Sequence, residues 1–295
     1  MTTPRSSHVQ CLSPAGVHRM AYVEWGDPHN PRVLVCVHGL TRSGRDFDFL
    51  AAALAADYRV VCPDVVGRGL SDWLRDPALY TTAQYAADMV TLIARLDVEG
   101  VDWLGTSMGG LIGMALAAQD NTPIQRLILN DVGPVVAAVA LRRICDYLGH
   151  PLEFASLAQA EAHFRQVAAP FGQLTDAQWH HLTQHVVKAA PNGRLVLRYD
   201  PAIAVPFKAV MAAQGEINGE MRDLELWPLY DAIRCPTLII RGENSDLLTR
   251  ETVAAMQERG PRARAVEIPK VGHAPMFMDE AQLAVVSEFL QNAGD

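Results

Sequence analysis

One stretch limits what this chain can become: Leu104-Gly105-Thr106-Ser107-Met108-Gly109-Gly110. Upstream, Val101, Trp103 and Leu104 suit a short buried strand, and downstream Leu111, Ile112, Met114 and Leu116 suit a buried helix. A chain passing from strand to helix in so few residues turns sharply. Glycines two before and two after Ser107 remove the Cβ atoms that would collide there. Such a turn lifts the serine hydroxyl above the sheet and aims backbone N–H groups of the new helix at whatever the hydroxyl attacks. Glycine is common, so the pattern alone is weak. A strand before it, a helix after it, and a histidine and an acid downstream make it specific.

The rest of the chain alternates around this turn. Strand-like apolar runs fall at 17–25, 32–37, 59–62, 101–105 and 126–130, with helical patterns at 47–56 and 81–96. The run at 32–37 is almost continuously apolar, as in a strand covered on both faces. From 132 to 228 the alternation lapses into helical patterns at 135–148, 157–168 and 176–189, which predict an inserted helical cap. It resumes with strands at 236–241 and 264–268 and helices at 250–259 and 280–291. The expected fold is α/β, a mostly parallel central sheet with helices on both faces. Its core is built from 1–131 and 229–295 and is interrupted by a cap at 132–228. Residues 1–16 are expected to be a loose leader.

Composition narrows the function. A 295-residue chain with 49% hydrophobic residues can bury a sizeable core, and a net charge of -8 argues against nucleic acid and against an anionic membrane surface. Cys11, Cys36, Cys62, Cys145 and Cys235 form no CxxC pair, so neither a disulfide framework nor a zinc site is expected. Residues 1–10 are polar and no apolar run is long enough to span a bilayer. A cytoplasmic protein is expected, with a homodimer left open. No phosphate loop or dinucleotide fingerprint occurs, so no cofactor is expected.

A serine hydroxyl needs a base, and His273 is the best placed, just past the strand at 264–268. The base needs a carboxylate to orient it. Asp246, in Gly242-Glu243-Asn244-Ser245-Asp246 after the strand at 236–241, is the expected acid. Asp131, closing the strand at 126–130, is its competitor, and Glu243 a near neighbour. The backbone N–H groups of Leu40, in His38-Gly39-Leu40, and of Met108 are expected to hold an oxyanion. Trp73, Phe207, Met211, Met276 and Phe277 are expected to line the substrate site, for an apolar acyl or aromatic group. His181 and His185 share a helical face, but no Asp, Glu or Cys partner stands out and a solvated face is expected.

His38-Gly39, Asp64-Val65-Val66-Gly67-Arg68-Gly69-Leu70-Ser71-Asp72, Gly105 to Gly109, Gly242 to Asp246 and Gly272-His273 together resemble the α/β-hydrolase superfamily. The likeness is to its cap-bearing bacterial serine hydrolases and esterases and runs along nearly the whole chain. It implies the order nucleophile, acid, histidine, which Ser107, Asp246 and His273 follow. Some members place the acid one strand earlier, which keeps Asp131 in play. The Asp64 to Asp72 segment resembles a structural Gly-rich turn beside the active-site mouth. A serine where dehalogenases and epoxide hydrolases carry aspartate implies an acyl-enzyme, hence a small ester, lactone or thioester. Cleavage of a C–C bond in a dienoate-type ketone, or ligand binding without turnover, are the alternatives.

Overall fold

The computed structural model describes residues 3–214, 216–217 and 220–292. Eight strands form the central sheet: β1 (Arg5–Ser13), β2 (Gly16–Trp25), β3 (Val33–Val37), β4 (Arg59–Pro63), β5 (Val101–Thr106), β6 (Ile124–Asn130), β7 (Thr237–Gly242) and β8 (Arg264–Ile268). Their spatial order is β1-β2-β4-β3-β5-β6-β7-β8. From β4 to β8 every neighbour is parallel, while β1 and β2 join antiparallel at one edge. Parallel neighbours need crossovers, and the helices that supply them cover both faces. Alternate residues of one strand therefore enter different cores. Val33, Val35 and Val37 join one apolar cluster, and Leu34 and Cys36 the other.

Among the described residues the α-helices are α1 (Asp48–Leu54), α2 (Thr82–Leu96), α3 (Met108–Ala117), α4 (Ala138–Tyr147), α5 (Leu157–Val167), α6 (Asp176–Val186), α7 (Ala204–Gln214), α8 (Trp227–Ala232), α9 (Arg250–Glu258) and α10 (Glu280–Asn292). α3 sits in the middle of the molecule and is apolar on nearly every side, because sheet and helices surround it. α2 shows the usual start and stop signals. The Thr81 side chain accepts from the Gln84 N–H, and Asp97 closes the helix in the left-handed region.

Two expectations are corrected here. Residues 5–13 are not a loose leader but strand β1, paired with β2 along its whole length. Only Val9, Cys11 and Ser13 of β1 are buried, so its polar flanks hide the alternation in the sequence. The helix expected to run to 189 stops at Val186, and Val187–Ala189 pairs as a strand with Leu195–Leu197. β-branched Val186 and Val187 mark the change. Between β6 and β7 the chain leaves and returns side by side, Val136 opposite Leu224 and Val135 opposite Glu225.

Candidate active site

The turn after β5 shows why glycines flank the serine. A Cβ on Gly105 would lie 2.2 Å from the Gly109 carbonyl oxygen, and one on Gly109 would lie 2.0 Å from that of Val37. Strand and helix touch through bare backbone at both points. Between them Ser107 has φ +52° and ψ −116°, a strained conformation for a residue with a side chain. The Ser107 N–H is tied to the Asn130 carbonyl at 3.0 Å, and the Asn130 side-chain amide donates to Thr106 Oγ1 and to the Pro275 carbonyl, both at 2.9 Å. Asn130, fully buried at the end of β6, thus clamps the serine turn to the loop after β8. Sequence reasoning did not single it out.

That loop carries His273. Its Nδ1 lies 2.7 Å from Asp131 Oδ2, and its Nε2 lies 3.0 Å from Ser107 Oγ. A carboxylate can only accept, so Nδ1 carries the proton and the lone pair of Nε2 faces the serine hydroxyl. The structure therefore brings Ser107 and His273 together, but it does not bring Asp246 to them. Asp131 takes that place. It is completely buried and also accepts the Gly242 N–H at 2.8 Å and the Ser245 hydroxyl at 2.6 Å. Asp246 is exposed and pairs with Arg143 of α4 across 2.5 Å. The physical reason lies in the β7 loop: Ser245 faces inward and its neighbour Asp246 faces out. Ser245 Oγ accepts the N–H groups of Leu247 and Leu248 at 3.3 and 3.1 Å, which turns its own proton toward Asp131. Its place at a strand end, shared with Asp246, and the resemblance to members that carry the acid one strand earlier are the signals the sequence holds for Asp131.

The loop after β3 lies against the serine, since a Cβ on Gly39 would be 3.7 Å from Ser107 Cβ. His38 is fully buried and sets its shape. Its Nε2 accepts the Val65 N–H at 3.0 Å, so Nδ1 is protonated and donates to the Gly39 carbonyl at 2.7 Å. Burial holds this imidazole neutral by lowering its pKa to about 3, and the charges of Arg68 and Arg42 add to the effect. With the Gly39 carbonyl occupied and the Leu40 carbonyl taken by Arg68 at 2.9 Å, the Leu40 N–H is left without an acceptor among the described residues. The Met108 N–H, at the start of α3, is likewise free for a ligand.

A cavity of about 590 Å³ opens over Ser107 and His273. Core residues Gly39, Leu40, Thr106 and Met276 line it from below, and Ile144, Phe164, Phe171, Leu197 and Tyr199 line it from the segment between β6 and β7. Of the residues expected to line the substrate site, Met276 alone among the described residues lines this cavity, beside Leu40 of the expected oxyanion loop. Phe277 points into the opposite core, Phe207 packs on the main core, and Trp73 lies half-exposed under Lys188. The side chain of Met211 lies outside the described residues. An apolar residue's rank in the sequence does not tell which side of a helix or loop it occupies, and here the apolar face was the core.

Residues able to hold a cation occur away from this cavity. The face of α6 is not solvated as expected: His181 and His185 meet Asp48 of α1, their ligand atoms within 4.8 Å of one another. Arg45 donates twice to the same carboxylate, so a cation there would meet a guanidinium and the cluster reads as an ion contact between α6 and α1. Cys11, His18 and Asp88 form a second, fully buried group.

The sequence model of the alpha/beta hydrolase family matches residues 34–288. The chain belongs to that family. Over 294 residues it is 53% identical to a 3-hydroxybutyrate-oligomer hydrolase of Cupriavidus necator, covering 99% of each chain. It is also 27% identical over 253 residues to the esterase YbfF of Escherichia coli, covering 83% of this chain and 87% of that one. An alpha/beta hydrolase from Novosphingobium aromaticivorans superposes with a TM-score of 0.84 at 35% identity, covering 99% of both chains. This alpha/beta hydrolase is an enzyme of the hydrolase class. No helix among its described residues is long and apolar enough to cross a membrane.

Proposed function

We propose that this alpha/beta hydrolase cleaves the ester bonds of short oligomers of a small hydroxy acid through an acyl-enzyme on Ser107. The carrying observation is the hydrogen-bonded chain from Ser107 Oγ through His273 to Asp131, at the floor of the cavity. Ser107 Oγ attacks the ester carbonyl and gives its proton to His273 Nε2. The oxygen becomes an oxyanion, held by the N–H groups of Leu40 and Met108. Removal of one such donor typically costs about 10²–10³ in rate. His273 then protonates the departing alcohol. A water molecule, deprotonated by the same nitrogen, releases the acid and restores the serine. Asp131 keeps His273 in the useful tautomer throughout.

The oligomer substrate is supported by the full-length likeness to the Cupriavidus necator enzyme and by the size of the cavity, which suits a ligand longer than one acyl group. Residues 132–228 act in this reading as a cap that supplies the upper wall. The test is release of monomer from the linear dimer and trimer of 3-hydroxybutyrate. Wild type should release it, and Ser107→Ala should lose at least about 10³-fold in kcat. Persistent turnover by Ser107→Ala would reject the mechanism. Turnover of p-nitrophenyl butyrate without any release from the oligomers would reject the substrate class alone.

A further inference from the structure

Arg68 is wholly buried in the Gly67-Arg68-Gly69 turn that follows β4. Its guanidinium is used on every side. Nε donates to the Leu40 carbonyl at 2.9 Å, Nη1 to the Val66 carbonyl at 2.8 Å and to the Tyr85 hydroxyl at 2.9 Å, and Nη2 lies 3.6 Å from Met108 Sδ. The rings of Tyr85 and Tyr80 flank it, their centroids 5.0 and 5.7 Å away. Among the described residues no carboxylate pairs with it. Asp200 accepts from the Tyr80 hydroxyl at 2.6 Å and from the Ala202 N–H at 2.9 Å, not from Arg68.

A buried guanidinium stays charged and is ordinarily matched by an acid, because an unmatched buried charge is costly. Here the cost is accepted at one particular place. Outside its own turn and the two tyrosines, the Arg68 guanidinium reaches Leu40 and Met108, the two residues whose free N–H groups flank Ser107. We propose that Arg68 is the standing positive charge behind the oxyanion hole, holding the Leu40 peptide in place and gaining its counter-charge only when the oxyanion forms. Such an interaction is stronger in the transition state than in the ground state, which is the condition for acceleration. Arg68 touches no substrate and is a positioning residue. Its field already reaches the loop, since it helps keep His38 neutral. Lysine could carry the charge but not the fork that serves Leu40 and Tyr85 together.

The inference rests on the acyl-enzyme reading, so the test uses p-nitrophenyl butyrate and an aryl trifluoromethyl ketone, whose serine adduct is an oxyanion. Absence of wild-type turnover would fail the reading itself, not the role of Arg68. With wild type active, Arg68→Met should lower kcat about 30- to 100-fold with KM within about threefold. The inhibition constant of the ketone should rise by a similar factor. Arg68→Lys should recover part of both. A merely structural role would reduce the folded fraction but leave the ketone's inhibition constant unchanged in the molecules that remain. Folded Arg68→Met with kcat and that constant within threefold of wild type overturns the proposal. If Arg68→Met does not fold, Arg68→Lys decides: a loss of about fivefold or more in kcat, matched in ketone affinity, supports it, and wild-type values overturn it.

Discussion

Ser245 donates its hydroxyl to Asp131 across 2.6 Å, and so the β7 loop supports the His273 carboxylate with the residue beside the aspartate expected to be that carboxylate. Ser245 faces the buried carboxylate and Asp246 faces solvent. Asp131→Asn should therefore lower kcat for p-nitrophenyl butyrate by about 10³–10⁴, because an amide can fix the wrong tautomer of His273. Asp246→Asn, which breaks only an exposed ion pair with Arg143, should stay within about threefold. The reverse ranking in steady-state kinetics would return the role to Asp246.

Ser245→Ala removes one of three bonds to the buried Asp131 carboxylate and leaves those from Gly242 and His273. A lost charge-assisted bond is worth about 1.5–3 kcal/mol. If part of that reaches His273, kcat should fall about tenfold with KM little changed. Unchanged kcat in a folded variant would show that Gly242 alone fixes the carboxylate.

Ser107 pays for its exposure with a positive φ, so the turn should prefer glycine once function is set aside. Ser107→Gly and Ser107→Ala both lose the hydroxyl and should both be inactive. Relief of strain worth about 1–3 kcal/mol, less about 1 kcal/mol for glycine's greater freedom, favours the glycine variant. Its Tm should exceed that of Ser107→Ala by about 2–4 °C. Equal melting points in calorimetry would mean that the turn is unstrained.

The contact between α6 and α1 should depend on pH. Burial pulls the His181 imidazole down, but its bonds to Asp48 and to the Arg45 carbonyl outweigh this and it titrates above its ordinary value of 6.5. A raised folded-state pKa stabilises fully below the unfolded value, and that stability is lost as pH rises through the folded one. Beside it, burial, Arg45 and His181 push His185 down to about 4. His185 therefore works the other way and weakens the fold as pH falls from the ordinary range toward 4. His181→Gln should lower Tm at pH 6 and much less at pH 9. A constant difference across that range would show that the ion contact contributes nothing.

The fold is legible because β3, β4, β5, β6 and β7 are short and mostly apolar, with Gly, Pro or Asp near their ends, and the helices between them repeat at helical spacing. β1 was missed, since its buried residues are only Val9, Cys11 and Ser13 and its strand depends on pairing with β2. The apolar residues expected in the substrate site failed for a related reason. Hydrophobicity marks Phe207 and Phe277 as core-seeking but does not say whether protein or ligand covers them, and here protein buries Phe277 and partly covers Phe207.

What the sequence determined by itself was local: a serine on a strand-to-helix turn whose glycines have no room for a Cβ, a His-Gly loop and a histidine each ending a strand, and an alternation that forces a parallel sheet. Those features need only neighbours along the chain. Tertiary structure decided which aspartate meets His273, which residue of the β7 loop faces inward, and that Arg68 lies under Leu40 and Met108. Each is a contact between segments far apart in sequence, and its outcome depends on side-chain direction at a loop, which no short-range pattern encodes.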